Sequence, residues 1–127
     1  MKSYTDLDQS KKLAEILPLE SADMFWYRDA VTTEVNPRIM NYTQVPKLQS
    51  MYYSPCWSLT ALLDVLPDEI IEDGDVFRNM FFHLKGKYII QYPRLTTLWP
   101  SLLSVEAGNP IDACVEIIVK LKESKLL

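Results

Sequence analysis

The sequence predicts an α+β fold: a small antiparallel sheet of about four strands, in two hairpins, packed on one face by three helices. The expected order is α-β-β-α-β-β-α. Three observations lead there. Helical apolar spacing occurs near the start, middle and end of the chain, at Leu13-Ile16-Leu17, Leu59-Leu62-Leu63-Leu66 and Ile111-Cys114-Ile118-Leu121. An aromatic run, Met24-Phe25-Trp26-Tyr27, separates the first two. Apolar residues flank Lys85-Gly86-Lys87 between the last two, in the manner of a hairpin.

The chain has 127 residues, which suits a single domain over 1–127. A chain of this length buries roughly two thirds of its unfolded surface, so its core needs no disulfide or metal staple. Its hydrophobic share of 48% and charged share of 24% are those of an ordinary globular protein. No repeat, low-complexity tract or linker divides it.

In the first element Thr5 is followed three residues later by Asp8, a relative of the capping box, and a helix is expected over 6–17, stopped by Pro18. Ser21-Ala22-Asp23 reads as a turn. Residues 24–27 are too aromatic for a loop and suit a half-buried pleated surface, so they read as a strand. A connection over 32–37 and a weaker strand over 38–42 follow. Residues 44–53 are ambiguous because of Pro46.

The stretch 54–67 reads as the element around which the chain is organised. Ser58 caps a short helix, Leu59, Leu62, Leu63 and Leu66 form its dry side, and Pro67 ends it. The run 68–75 reads as an acidic loop. Residues 76–84 and 88–92 then form a hairpin with two competing registers. Gly86 suits a two-residue turn. Keeping the apolar groups on one face favours a three-residue loop that pairs Leu84 with Tyr88, Phe82 with Ile90 and Met80 with Tyr92, and that register is expected. Pro93 and Pro100 interrupt 94–107, which reads as a packed irregular connection. The last helix opens with Asn109 as cap, Pro110 in the first position and Asp112 near the positive end of the dipole. Val115 and Ile117 widen its apolar face, and Glu116 with Lys120 is a favourable pair on its wet side.

Net charge is −4 and the isoelectric point about 4.9, so a phosphate backbone is repelled on average and nucleic acid is not an expected partner. Lys11, Lys12, Lys120, Lys122 and Lys125 lie near acids and read as solvated helix faces. No run approaches a membrane span, and the first residues lack the apolar core of a signal peptide, so a cytoplasmic protein with no membrane partner is expected. The two cysteines, Cys56 and Cys114, then read as buried thiols.

Few residues suggest chemistry. One histidine, His83, excludes a histidine metal site, and the cysteine spacing does not suit zinc, so no metal or cofactor is expected. Asp73-Gly74-Asp75 lacks the ligand pattern of a calcium loop. No glycine-rich phosphate loop is present. Cys56 precedes a helix start, where a thiolate is stabilised, and with His83 it is the one nucleophilic pair the sequence offers as a weak catalytic candidate. The plainer reading is a structural cysteine and a wet histidine. Phe25, Trp26 and Tyr27 are the candidate binding residues, because neighbours on a strand point to opposite faces. Some of Phe25, Trp26, Tyr27, Phe81 and Ile89 then fall on the open face. A second chain, or the 94–107 connection, is expected to cover it around Trp26.

Three ordered blocks carry a resemblance. They are 9–24 (Gln9 through Met24), 55–67 with its Pro55-Cys56-Trp57-Ser58-Leu59 opening, and Asn109-Pro110-Ile111-Asp112-Ala113-Cys114. In these the chain resembles a group of small bacterial proteins of unknown function encoded on prophages and mobile elements of gut bacteria. The resemblance spans most of the chain and implies the same helix, hairpin, helix, hairpin, helix layout. It brings no activity, cofactor or site residue with it. The resulting expectation is a non-enzymatic cytoplasmic accessory protein of phage or mobile-element origin that binds a protein or itself. The alternative is a small enzyme using the Cys56 thiol with His83.

Overall fold

The computed structural model describes residues 2–29, 31–39, 52–97 and 101–127. Helix α1 (Leu7–Ala14) starts at Asp6. The Asp6 carboxylate accepts the Gln9 N–H at 2.8 Å and the Gln9 side chain accepts the Asp6 N–H at 3.1 Å, a reciprocal capping box. The cap lies one residue beyond the expected Thr5, because Thr5 is fully buried beside Ser10 and Cys56. The helix also ends before the expected Leu17, and a 3₁₀ turn at Leu19–Ser21 follows Pro18.

Strand β1 (Met24–Arg28) lies between β2 (Val35–Ile39) and β3 (Tyr52–Cys56), antiparallel to both. The expected connection over 32–37 gives way to a strand after Glu34. Asp29 is the reason: its carboxylate accepts the N–H groups of Val31 and Thr32 at 2.8 and 2.9 Å and turns the chain early. Of the strand expected over 38–42, Arg38 and Ile39 belong to β2, and residues 40–42 lie outside the described residues. The ambiguous residues 44–51 also lie outside them, while 52 and 53 open β3. Pro37 and Pro55 fall on the two edge strands, which tolerate a residue without an N–H.

Ser58 caps α2 (Leu59–Val65) as expected, its hydroxyl accepting the Ala61 N–H at 3.2 Å. Leu62 and Leu66 enter the core, but Leu63 is 39% exposed, so the dry side is narrower than the leucine spacing implies. The acidic run is not a loop. Strands β4 (Glu69–Glu72) and β5 (Asp75–Arg78) form a hairpin around Asp73-Gly74, both at positive φ. Asp-Gly favours this two-residue turn, and Ile70 is buried while Ile71 on the opposite face is exposed.

A third sheet holds β6 (Met80–Leu84), β7 (Lys87–Pro93) and β8 (Ser101–Ala107), with β7 central. Its first register corrects the expected one. Lys85 and Gly86 form a two-residue turn with φ of 52° and 77°, so Leu84 faces Lys87, Phe82 faces Ile89 and Met80 faces Gln91. Both turn residues take the left-handed conformation whose twist matches the flanking strands. Phe81 and His83 therefore share the inner face with Ile90 and Tyr88. Strand β8 replaces the irregular connection expected over 94–107, of which residues 98–100 lie outside the described residues. A bridge between Phe77 and Arg94 continues the β6–β7 register into β5, and the Leu95 N–H donates to the Val76 carbonyl at 2.8 Å.

The expected single sheet of four strands is thus replaced, among the described residues, by antiparallel sheets of three, two and three strands with three α-helices. Helix α3 (Pro110–Glu123), rather than α2, lies at the centre of the core. Ile111, Cys114, Ile117, Ile118 and Leu121 are fully buried, against β7, β8 and α2. Each such aliphatic side chain contributes roughly 1.5–3 kcal/mol by leaving water. Helix α1 packs on β3 and reaches α3, which ties the first sheet to the last. Among the described residues no helix is long and apolar enough to cross a membrane.

Candidate functional site

The structure places the candidate thiol in a closed polar cluster. Cys56, at the end of β3, has no exposed surface. The Thr5 hydroxyl lies 3.5 Å from its sulfur and 2.7 Å from the Ser10 hydroxyl, and accepts the Trp57 N–H at 3.1 Å. Burial pushes the Cys56 thiol up, and the hydrogen bonds from Thr5 and Ser10 offset this only in part. Such a sulfur is protonated and screened from solution, the opposite of a reactive thiolate. His83 is exposed on β6, in a different sheet, stacked on Tyr88 with centroids 4.4 Å apart. No hydrogen bond or ring contact joins it to Cys56. Cys114 is also buried, and its thiol is pushed up to about 12 by desolvation.

The three aromatics of β1 are each covered within the chain. Phe25 is 1% exposed. Tyr27 is half-buried with the Arg38 guanidinium 4.5 Å from its ring centre. Trp26 is half-buried and edge-on to Tyr4 at 6.1 Å, and its indole N–H donates to Ser10 at 2.9 Å. Within the chain its cover comes from the N-terminal segment, through Tyr4 and Ser10. The structure thus joins Trp26 to Cys56 through Ser10 and Thr5; the sequence reading gave Thr5 only a capping role and gave Ser10 none, because neither residue carries a periodicity of its own.

A groove of about 430 Å³ runs between Leu17, Pro18, Ala61, Val65 and the C-terminal Leu127. Its charged groups, Glu20, Asp64 and Lys122, are exposed, and Ser21 adds one uncharged polar side chain to a lining that is otherwise apolar. Among the described residues no cluster of three metal-ligating side chains occurs.

The outer edge of β6 differs from all of these. Helix α3 packs on β7 and β8, and β6 overhangs that support. Both of its faces are wet in consequence: Phe81 and Met80 are each 38% exposed and Leu84 is 54% exposed. The strand Met80-Phe81-Phe82-His83-Leu84 contains no Lys, Glu, Asp or Pro, the residues that blunt sheet edges in natural proteins.

No family model, curated protein or solved structure matches the chain.

Charged residues stand at both ends of the open edge, and at one of them Glu69 pairs with Arg78 at 3.7 Å. On one side Asn79 donates its N–H to the Asp68 carbonyl at 2.9 Å, just before β4 begins at Glu69. The chain then leaves the sheet at Pro67, whose carbonyl accepts the hydroxyl of the buried Tyr92 at 2.8 Å. Among the described residues, the edge from Met80 onward therefore has no neighbouring strand. At the other end stand Lys85 and Lys87, with Lys87 paired to Glu106 at 3.2 Å. Sequence reasoning missed this site because it chose the register that turns Met80, Phe82 and Leu84 inward. The signal that could have found it was Gly86 at the second place of a two-residue turn.

Proposed function

We propose that this chain is a non-enzymatic protein-binding module that takes a partner's extended strand along the outer edge of β6. The observation that carries the reading is an uncharged, half-exposed aromatic strand whose outward backbone groups have no strand beside them among the described residues. Added strands gain affinity from main-chain hydrogen bonds and specificity from alternate side-chain pockets, and β6 offers both. The buried, protonated Cys56 thiol favours this reading over thiol chemistry with His83. A cytoplasmic site of action belongs to the same reading, and an origin on a prophage or mobile element rests on the likeness of the three sequence blocks alone.

The test is a photo-crosslinking amino acid placed at His83, with Lys120 on the wet side of α3 as control. Protein adducts at position 83 that are absent at position 120 are expected in cells expressing the chain. Equal labelling at the two positions, or none at 83, would overturn the reading.

A further inference from the structure

We propose that the strand received by β6 is the free N-terminal end of a partner chain, running parallel to β6 with its α-ammonium group against the Asp68 carboxylate. The inference rests on the protein-binding reading above and deepens it by naming the partner's chemistry. The register of β6 limits what its edge takes. Leu84 and Lys87 close the two-residue turn, so Leu84, Phe82 and Met80 direct their main-chain groups to β7. Asn79, Phe81 and His83 direct theirs outward. The Asn79 N–H is taken by the Asp68 carbonyl. Among the described residues, the N–H and C=O groups of Phe81 and His83 are therefore the open pairs. The β4–β5 register sets Asp68 opposite Asn79, and the chain turns away at Pro67. A received strand thus reaches no further than the place opposite Met80, where it ends or turns.

The charge at that stop selects the end. Glu69 is paired with Arg78 and Lys87 with Glu106, whereas Asp68 is exposed and makes no ion pair among the described residues. An antiparallel strand that ends there sets its carboxylate beside Asp68, like charge against like. A parallel strand begins there, and its ammonium meets an acid. Parallel pairing is slightly weaker per residue, which the ammonium contact offsets. The first, third and fifth side chains of such a strand lie on the outer face beside Met80, Phe82 and Leu84, where apolar groups suit. The second and fourth lie beside Phe81 and the stacked His83 and Tyr88 rings. The sixth passes the exposed Lys85, which favours an acid.

Amide hydrogen exchange of the free chain is the first test. The Phe81 and His83 amides should exchange fast, and those of Phe82 and Leu84 slowly. Protection of Phe81 and His83 would mean that the edge is already covered, and both readings fall. The second test uses the hexapeptide amide Val-Thr-Val-Thr-Val-Glu with a free or an acetylated amino terminus, titrated by NMR. The free form should bind about fivefold more tightly, the worth of one exposed ion pair, and should shift the Phe81 and His83 amides most. Asp68→Asn should remove the difference between the two forms. His83→Pro should abolish binding of both, because it deletes an outward donor that β7 does not use. Asp68→Asn keeps the test open if His83→Pro fails to fold. Equal affinity of the two forms for the wild-type chain, or no binding of either at millimolar peptide, overturns the N-terminal proposal. Adducts at position 83 that map to an internal segment of a partner also overturn it, and leave the protein-binding reading standing. If neither peptide binding nor adducts are found, both fall.

Discussion

The Trp26 indole N–H donates to the Ser10 hydroxyl at 2.9 Å, which fastens the central strand of the first sheet to helix α1. Ser10 passes the contact on to Thr5 at 2.7 Å, and Thr5 to the Cys56 sulfur at 3.5 Å. Ser10→Ala removes one hydroxyl and takes the partner from the part-buried indole N–H, while the Thr5 hydroxyl keeps the Trp57 N–H and the Cys56 sulfur. A loss of about 1–3 kcal/mol is expected, because an unsatisfied buried group carries its full desolvation cost. Denaturant midpoints followed by tryptophan fluorescence would check it. A midpoint equal to the parent's would mean that water replaces the missing hydroxyl.

Asn109 accepts the Asp112 N–H at 2.9 Å and donates its own amide to the Asp112 carboxylate at 2.6 Å. Asn109→Ala should cost about 0.5–2 kcal/mol in chemical denaturation. Because α3 holds the centre of the core, the loss should appear in the global unfolding transition rather than as local fraying. Hydrogen exchange across α3 separates the two.

Lys2 bridges Asp6 and Asp112, each at 2.9 Å. Burial pushes the Asp112 carboxyl up, but hydrogen bonds from Lys2, Gln9 and Asn109 together hold it below its ordinary value of 3.8. Asp6 is lowered likewise, desolvation being outweighed by the Gln9 N–H and Lys2. A carboxylate with a depressed folded pKa stabilises fully above its unfolded value and loses that contribution as pH falls through the folded one. Stability should therefore decline below about pH 4. Asp112→Asn should flatten that decline, read as denaturant midpoint against pH. Lys2 is raised above 10.5: burial lowers it, and the Asp112 and Asp6 bonds outweigh that. Its contribution is present below 10.5 and is lost as pH rises through the higher folded value.

Cys56 and Cys114 are both fully buried, with thiols pushed up by desolvation. An alkylating probe at neutral pH should label neither in the folded protein and both in denaturant. Rapid labelling of Cys56 in the native state would bring the thiol-enzyme alternative back ahead of strand binding.

The local grammar of the chain was legible in its residues. Ser58 and Asn109 cap where hydroxyl and amide chemistry says they should, and Pro110 takes the first helical position. The apolar face of α3 is the one its spacing announces, because a long helix repeats its period often enough to be read. Short segments carried too little. Asp29 and the Asp73-Gly74 turn reversed the chain inside runs that read as connection and loop, each through a contact or dihedral spanning a few residues.

Long-range pairing lay beyond the sequence. That β3 returns to β1, that β8 completes the last sheet, and that the N-terminal segment covers Trp26 are pairings between residues distant in the chain, and no local period encodes which partner is chosen. The candidate site turned on the same distinction. Alternation shows that Met80, Phe82 and Leu84 share one face of β6, but either face satisfies it. The positive φ of Lys85 and Gly86 selected the face, and the reach of α3, which stops at β7 and β8, left that strand in water.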